Sequence, residues 1–170
     1  MGYVHDTTMS QWIPPTAFHM PLGSATFVHV AGQVDNTIAV QRTAHNSTGT
    51  INIPVMVPSN SVAQKGCYLK SVEIDYEVLT GAATGITFLI YKVTRGADLA
   101  VAVVATTLPF TQTPTVAVAD DVDQHRAILT ITSPAWIDND EYVLVEMTVV
   151  AGASAVIDML GAVANFTLRV

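Results

Sequence analysis

Residues 71–78 read SVEIDYEV, and the strict alternation of apolar and polar side chains in this stretch decides the fold class. Successive side chains of a β-strand point to opposite faces, so Val72, Ile74 and Tyr76 share one face while Glu73 and Asp75 share the other. This pattern predicts a strand that is buried on one side and solvated on the other.

The chain after this strand continues the β pattern. A glycine-containing run of small residues at 80–85 indicates a reversal, and residues 86–94 are rich in β-branched and aromatic side chains on both faces. We therefore expect a β-hairpin over residues 65–95. A second hairpin is expected near the C-terminus, where residues 141–150 and 155–170 flank another turn of small residues.

Shorter β-rich runs occur in the rest of the chain, at residues 25–31, 37–43, 51–55, 99–107, 115–119 and 127–132. Turn signals spaced about 8 to 12 residues apart are typical of a sandwich or a barrel. No long amphipathic helix pattern interrupts them. The sequence therefore predicts an all-β domain, specifically a jelly-roll-like antiparallel β-sandwich of about eight strands.

Residues 1–24 are predicted to form an extended N-terminal arm, because three prolines in this segment disfavour a helix. The remaining residues, 25–170, are predicted to form one domain, which suits the total length of 170 residues. The arm carries Trp12, Phe18 and Met20, and either a neighbouring subunit or the domain's own flank could cover these side chains.

The charge content excludes some partners. Seven Lys and Arg residues against a net charge of −7 leave no basic patch for a phosphate backbone, so nucleic acid is not an expected partner. The longest apolar run, residues 99–105, is far shorter than the roughly 20 residues of a membrane-spanning helix, so no membrane partner is expected. The first thirty residues contain no apolar segment typical of a signal peptide.

The chain has too few charged residues for an ordinary monomer surface. Only 12% of its residues are charged, against about 25% in an average soluble domain. Subunit interfaces are depleted in charge, so we predict a homo-oligomer, with a monomer covered by Thr and Ser as the alternative. The candidate interface residues are Trp12, Phe18, Met20, Leu89, Tyr91 and Trp136.

Catalytic and metal-binding patterns are absent from the sequence. No Gly-x-Ser-x-Gly motif and no glycine-rich phosphate loop occurs, so the chain is predicted not to be an enzyme. Five histidines without paired spacing and the single Cys67 predict no metal site and no cofactor. Glu73, Asp75 and Glu77 loosely resemble a glycosidase carboxylate pair, but solvent-facing alternation explains them more simply.

Two further features belong to an alternative hypothesis, a lectin-like carbohydrate-binding module. Trp12, Phe110 and Trp136 could stack on sugars, although a buried or interface role is the simpler expectation for them. In this module Trp136 would lie at the rim beside the run Asp138–Glu141, which offers oxygen ligands of the kind that Ca²⁺ takes. That run lacks the length and the glycine of a calcium hand, so we interpret it as a plain turn.

Three stretches resemble virion proteins of tailed bacteriophages, of the β-sandwich type found in decoration, head-fibre and tail-associated proteins. They are YLKSVEIDY at 68–76, IYKV at 90–93 and DEYVLVE at 140–146, and the resemblance extends over residues 51–170. It implies a structural protein located in the virion, homo-oligomeric and often trimeric, with other virion proteins as partners and no catalytic residues. A shell-forming capsid jelly roll is a further alternative.

Overall fold

Eleven β-strands in two antiparallel sheets make up most of the protein, as described by a computed structural model of residues 6–21, 27–31, 38–57, 66–94, 103–138, 140–150 and 152–169. The strands are β1 (Asp6–Ile13), β2 (Phe27–Ala31), β3 (Ile38–Arg42), β4 (Gly49–Val55), β5 (Gly66–Thr80), β6 (Gly85–Thr94), β7 (Val104–Thr107), β8 (Phe110–Thr113), β9 (Gln124–Asp138), β10 (Glu141–Val150) and β11 (Val156–Arg169). A short 3-10 turn at Pro15–Ala17 follows β1. Within the described ranges, no helix is long and apolar enough to cross a membrane.

The larger sheet has seven strands and the smaller sheet has four. In the larger sheet the order is β2-β3-β11-β5-β9-β8, and β1 pairs with the same edge of β11 as β3 does, farther along that strand. The smaller sheet has the order β4-β10-β6-β7. Without β1, β2 and β8, eight strands remain in two sheets of four, β3-β11-β5-β9 and β4-β10-β6-β7, which is the arrangement of a jelly roll. The predicted β-sandwich is confirmed.

The two predicted hairpins are wrong, because neither pair of strands lies in one sheet. Strand β5 pairs with β11 and β9 in the larger sheet, whereas β6 pairs with β10 and β7 in the smaller one. Residues 80–85 therefore carry the chain from one sheet to the other, and the connection between β10 and β11 does the same. The hairpins were predicted wrongly because alternation shows that a strand has a buried face, but it does not show which strands pair with it or which sheet covers that face.

The two inter-sheet connections pack against each other at their glycines. Gly81 has φ +68°, and a Cβ there would lie 2.6 Å from the Ser154 backbone. A Cβ on Gly152 would overlap the carbonyl oxygen of Ala82. Each connection therefore needs glycine where the other approaches.

The core lies between the two sheets and follows the predicted alternation. Val72, Ile74, Tyr76 and Val78 of β5 are fully buried, as the sequence predicts. They face the buried side chains of the smaller sheet, among them Ile51, Ile53, Ile90, Val143, Val145 and Met147.

The predicted arm is part of the sandwich from residue 6 onward. Strand β1 pairs with β11 over eight residues, Phe18 is 4% exposed in the core, and Met20 packs against it. His19 forms a bridge to Asn52 of β4, so the segment reaches both sheets. The domain itself thus covers Phe18 and Met20, whereas Trp12 remains 61% exposed. Residues 1–5 and 22–24 lie outside the described ranges.

Other boundaries also differ from the prediction. The expected strand at 115–119 does not form. Instead, the carbonyl oxygen of Val118 accepts a hydrogen bond from Tyr76, and that of Ala119 accepts one from the Ala83 amide. Strand β8 was not predicted, and β9 extends well beyond the predicted 127–132 because it continues past an irregularity opposite β5.

Two buried charged groups lie near the connection between β10 and β11. The Arg42 guanidinium donates to the carbonyl oxygens of Ala155, His45 and Ser47 at 2.8 to 3.0 Å, and burial lowers its pKa. Asp158 is 1% exposed, and burial raises its pKa although a hydrogen bond from Gln41 acts in the opposite direction. Arg42 therefore ties the turn at residues 45–47 to Ala155, and none of the described salt bridges gives it a carboxylate partner.

Stability is expected to fall at alkaline pH because of two buried acids of β5. Burial raises the pKa of Cys67 from 9.0 to about 11, and it raises that of Tyr76 from 10.0 to about 12 despite the hydrogen bond to Val118. A raised pKa in the folded state favours the protonated form, so the stabilisation is fully present below pH 9 and is lost as the pH rises toward 12. Since one pKa unit corresponds to about 1.4 kcal/mol, we expect the free energy of unfolding to fall by about 2–4 kcal/mol between pH 8 and 11.

Urea unfolding at pH 8 and pH 11 measures this loss. The double variant Cys67→Ala, Tyr76→Phe should be less stable than the wild type at pH 8 but should show a smaller drop on going to pH 11. Equal drops in the two proteins would contradict the assignment to these residues.

Candidate ligand-binding face

The side of the larger sheet that faces away from the core is the candidate site, and we call it the outer face. On β5 it carries Ser71, Glu73, Asp75 and Glu77, the half-buried residues that alternate with the core side chains. The prediction that the three acidic residues share one face is confirmed. Because β11 and β9 flank β5, the outer face continues across both neighbours.

The strand register arranges the outer face into rows of cross-strand neighbours. One row consists of Trp12, Val163, Glu73 and Ile128, contributed by β1, β11, β5 and β9 in that order. The adjacent row consists of Ser10, Asn165, Ser71 and Thr130. Directly opposed residues on one face have Cβ atoms about 5 Å apart, so each row is a continuous strip of side chains.

Trp12 is the large aromatic side chain that this face exposes most, at 61% of its surface. Its indole lies beside the backbone of Gly161, where a Cβ would lie 3.0 Å from Trp12 Nε1. Gly161 has φ +147° and sits at an irregularity between β11 and β5, so the missing side chain leaves space for the ring. A flat apolar surface with a polar N–H is thus held at the edge of the face.

Asn165 is oriented by hydrogen bonds on both sides. Its Oδ1 accepts from Ser10 Oγ at 2.6 Å, and its Nδ2 donates to Ser71 Oγ at 3.1 Å and to Glu73 Oε1 at 3.0 Å. The amide therefore has one fixed orientation, and it connects polar atoms of the three strands β1, β11 and β5.

Arg126 completes this network from the other side. Its Nε and Nη2 donate to the two carboxylate oxygens of Asp75 at 2.6 and 3.1 Å, and Nη1 lies 3.4 Å from Glu73 Oε2. The hydrogen bond from Arg126 to Asp75, together with the charges of Asp75 and Glu73, raises the pKa of the guanidinium. The bidentate geometry fixes the planes of both groups, although a half-exposed pair of this kind adds little to stability.

A shallow depression of about 410 Å³ lies beside this ion pair. It is lined by Asp75, Gln124, His125, Arg126 and Leu160. The oriented polar groups are therefore open to solvent and can contact a ligand.

The six candidate interface residues fall in three places. Phe18 and Met20 lie in or against the core, so they offer little surface to a partner. Leu89, 44% exposed, and Tyr91, half-buried, lie on the outward side of the smaller sheet. Trp12 and Trp136 lie on the outer face of the larger sheet, and Trp136 packs edge-on against Tyr68 with ring centroids 4.9 Å apart. Whether any of them contacts another subunit stays a prediction.

The turn expected at Asp138–Glu141 is occupied with internal contacts. Glu141 accepts hydrogen bonds from the Asp138 amide and from Thr94, and it pairs with Lys92 at 2.9 Å. Burial acts to raise the pKa of this carboxyl, but these donors and the charge of Lys92 outweigh it and the pKa is lowered. Among the described residues, which exclude Asn139, no three His, Cys, Asp or Glu side chains come together as a metal site.

Sequence reasoning missed the polar network around Asn165 and Arg126. Alternation could have placed Asn165 and Ser71 on outward faces, but no local signal shows that they are neighbours. The sequence did single out Glu73 and Asp75, and the structure shows that both are bound to Arg126 rather than free.

Comparison with known proteins gives similar folds and no relative by sequence. No family model matches the chain, and no curated protein matches it. Among solved structures, TmCBM61 in complex with β-1,4-galactotriose is 8% identical with a TM-score of 0.47, over 92% of this chain and 91% of that one. The names of these matches include carbohydrate-binding modules and bacteriophage proteins.

Two of the matches are phage proteins. The enzymatically active domain of tailspike protein 4 from bacteriophage CBA120 is 6% identical with a TM-score of 0.39, over 93% of this chain but 19% of that one. A carbohydrate esterase from the Shiga toxin-encoding bacteriophage phi24B is 12% identical with a TM-score of 0.37, over 96% of this chain and 90% of that one. At these identities and scores no ligand, activity or location is transferred to this chain.

Proposed function

We propose that this chain is a carbohydrate-binding β-sandwich that binds an oligosaccharide on the outer face of its larger sheet. The observation that carries the proposal is the position of Trp12, which is 61% exposed and stands in one row with Glu73, next to the row of Asn165. The exposed part of this indole adds nothing to the stability of the fold, and it offers an aromatic surface beside fixed polar groups to a ligand.

A sugar ring matches this surface in its chemistry. The ring has an apolar face of C–H groups that can pack on an indole, and a rim of hydroxyl groups that need donors and acceptors. The amide of Asn165, the carboxylate of Glu73 and the guanidinium of Arg126 supply both kinds of partner. Because Ser10 and Asp75 already hold these groups in place, little side-chain entropy is lost on binding.

The same geometry favours binding without hydrolysis. A glycosidase needs two carboxyl groups free to act on the glycosidic bond, one as acid and one as base or nucleophile. Here the carboxylates of Glu73 and Asp75 both contact Arg126, and that of Glu73 also accepts from Asn165. We therefore propose a binding role and no catalysis at this face.

A glycan microarray probed with the folded wild-type chain, followed by isothermal titration of each positive glycan, tests the proposal. Binding of at least one oligosaccharide class, with a change in tryptophan fluorescence as Trp12 is covered, is the expected result. If no glycan on the array binds and the tryptophan fluorescence stays unchanged, the proposal is wrong.

A second candidate function is self-association, as expected for a structural protein of a virus particle. The outward side of the smaller sheet favours it, because Leu89 is 44% exposed and the neighbouring cross-strand pair of Tyr91 and Leu144 is apolar. The virion location implied by the phage resemblance belongs to this candidate.

Light scattering at micromolar concentration measures the oligomeric state of the wild type and of Leu89→Lys and so tests this candidate. If a second copy covers this side of the sheet, the wild type should be oligomeric, and the variant should be a folded monomer because a lysine there would have to be desolvated. A wild type that is monomeric throughout would remove this candidate and leave the carbohydrate proposal intact.

A further inference from the structure

A second groove lies on the same outer face, away from Trp12. It has a volume of about 360 Å³ and is lined by Tyr68, Lys70, Pro134 and Thr167. Tyr68 of β5 is the cross-strand neighbour of Thr167 on β11 and of Trp136 on β9. The groove is therefore built on the same three central strands as the Asn165 network.

The hydroxyl of Thr167 has no hydrogen-bond partner among the residues that the structure describes. Thr167 is 6% exposed, and its Oγ1 is buried without a hydrogen bond among the described residues. A buried polar atom without a partner costs about 1–3 kcal/mol, so such atoms call for an explanation. Because Thr167 lines the groove, rotation of its side chain about χ1 would turn Oγ1 toward the groove, where a hydroxyl group of a bound ligand would supply the missing hydrogen bond.

The aromatic wall of the groove is rigid. Tyr68 is held by the edge of Trp136, with the ring planes at 70°. Trp136 in turn lies over Gly66, where a Cβ would come within 2.8 Å of the indole. Tyr68 thus offers a fixed apolar surface at the same side of the sheet as the unpartnered hydroxyl.

Lys70 adds a positive charge to this groove. Its side chain is exposed, and none of the salt bridges among the described residues involves it. The groups around Trp12 are of the opposite sign, because Glu73 and Asp75 share the single cation of Arg126. The two ends of the face therefore differ in the charge that they present.

We propose that this groove is a second subsite, resting on the proposed function, and that it takes a sugar ring bearing a carboxylate. Tyr68 packs against the ring, Thr167 hydrogen-bonds to a hydroxyl group, and Lys70 pairs with the carboxylate. From strand spacings of about 4.8 Å and a rise of about 3.4 Å per residue, the groove lies roughly 17 Å from Trp12. A single sugar ring does not span this distance, so a ligand that uses both ends is an oligosaccharide of an acidic polysaccharide.

The net charge of −7 does not prevent such binding at physiological salt. Exposed charges farther away than a Debye length of about 8 Å are largely screened, so the nearby Lys70 dominates at the groove. The attraction between Lys70 and a ligand carboxylate weakens as salt is added, so the affinity for an acidic sugar should fall as the ionic strength rises.

The experiment compares uronate-containing polysaccharides with the same polymers after reduction of their carboxyl groups to alcohols. Polygalacturonate, alginate and hyaluronan are the probes, and affinity is measured for the wild type, Lys70→Gln and Lys70→Arg. At least one acidic polymer should bind the wild type about tenfold more tightly than its reduced form. Lys70→Gln should bring that ratio to within about twofold without weakening the reduced form, and Lys70→Arg should preserve it.

Thr167→Val provides an independent readout. Because the change removes an unpartnered hydroxyl, it should lower the affinity for the preferred polymer while leaving thermal stability unchanged or raised, which a purely structural role would not produce. An acidic-to-reduced ratio near one in the wild type, or a ratio unaffected by Lys70→Gln, would overturn the second subsite while leaving carbohydrate binding in place. If neither form of any polymer or array glycan binds, both proposals fall together.

Discussion

Trp12→Ala is expected to weaken oligosaccharide binding by about tenfold to a hundredfold, the largest change from any single side chain of the outer face. The indole supplies the flat apolar contact, and covering a large apolar side chain is worth about 1.5–3 kcal/mol. Since about 1.4 kcal/mol corresponds to a factor of ten in affinity, the loss is large enough to measure by titration.

Folding stability is the internal control for this variant. Trp12 is 61% exposed but packs against Gly161, so its removal should lower the free energy of unfolding by no more than about 2 kcal/mol and leave the chain folded. Trp12→Phe should retain part of the affinity, because a smaller ring still packs against a sugar. Val116→Ala, which truncates another exposed apolar side chain at 74% exposure, should leave binding unchanged. Full affinity in Trp12→Ala would show that the ligand does not contact this end of the face.

Ile74→Ala is expected to destabilise the fold by about 3–5 kcal/mol. The side chain is fully buried at the centre of β5, and its cross-strand neighbours on β11 and β9 are Ala162 and Ala127. These small residues cannot expand to fill the space, so the cavity left by the truncation stays large, and the cost rises with its volume. The free energy of unfolding of a typical domain is only about 5–15 kcal/mol, so this loss would remove a large part of the stability.

Urea unfolding and thermal melting measure this effect. We expect a fall in melting temperature of about 6–20 °C with an unchanged urea m-value. Thr130→Ala on β9 is the matched control, because this side chain points outward in the same sheet and is exposed. A loss below about 1 kcal/mol for Ile74→Ala would show that the two sheets do not pack tightly at this position.

The correct prediction of the buried face of β5 and the wrong prediction of the two hairpins have the same physical cause. Alternation along residues 71–78 reports how one strand divides its side chains between two environments, and burial of Val72, Ile74 and Tyr76 follows directly. Hairpin formation depends on which strand becomes the hydrogen-bonded neighbour. Because residues 86–94 are apolar on both faces, the sequence of β6 was compatible with pairing beside β5 and with packing opposite it.

The candidate site, too, could be predicted from the sequence only in part. From the sequence, Glu73 and Asp75 were predicted to face solvent, and Trp12 was predicted to be a candidate interface residue. The pairing of β1 with β11 brings Trp12 opposite Val163, and the pairing of β11 with β5 brings Val163 opposite Glu73. No periodicity within either segment contains this information.

The sequence by itself determined the class of the fold and the buried side of its central strand, because alternation with period two is a local property that water enforces on every half-buried strand. Tertiary structure alone decided that β1 belongs to the larger sheet, that Asn165 bridges Ser10 and Glu73, and that Lys70 and Thr167 line one groove. Those relations join residues up to 155 positions apart, and they arise from strand register, which is set only when all the sheets assemble.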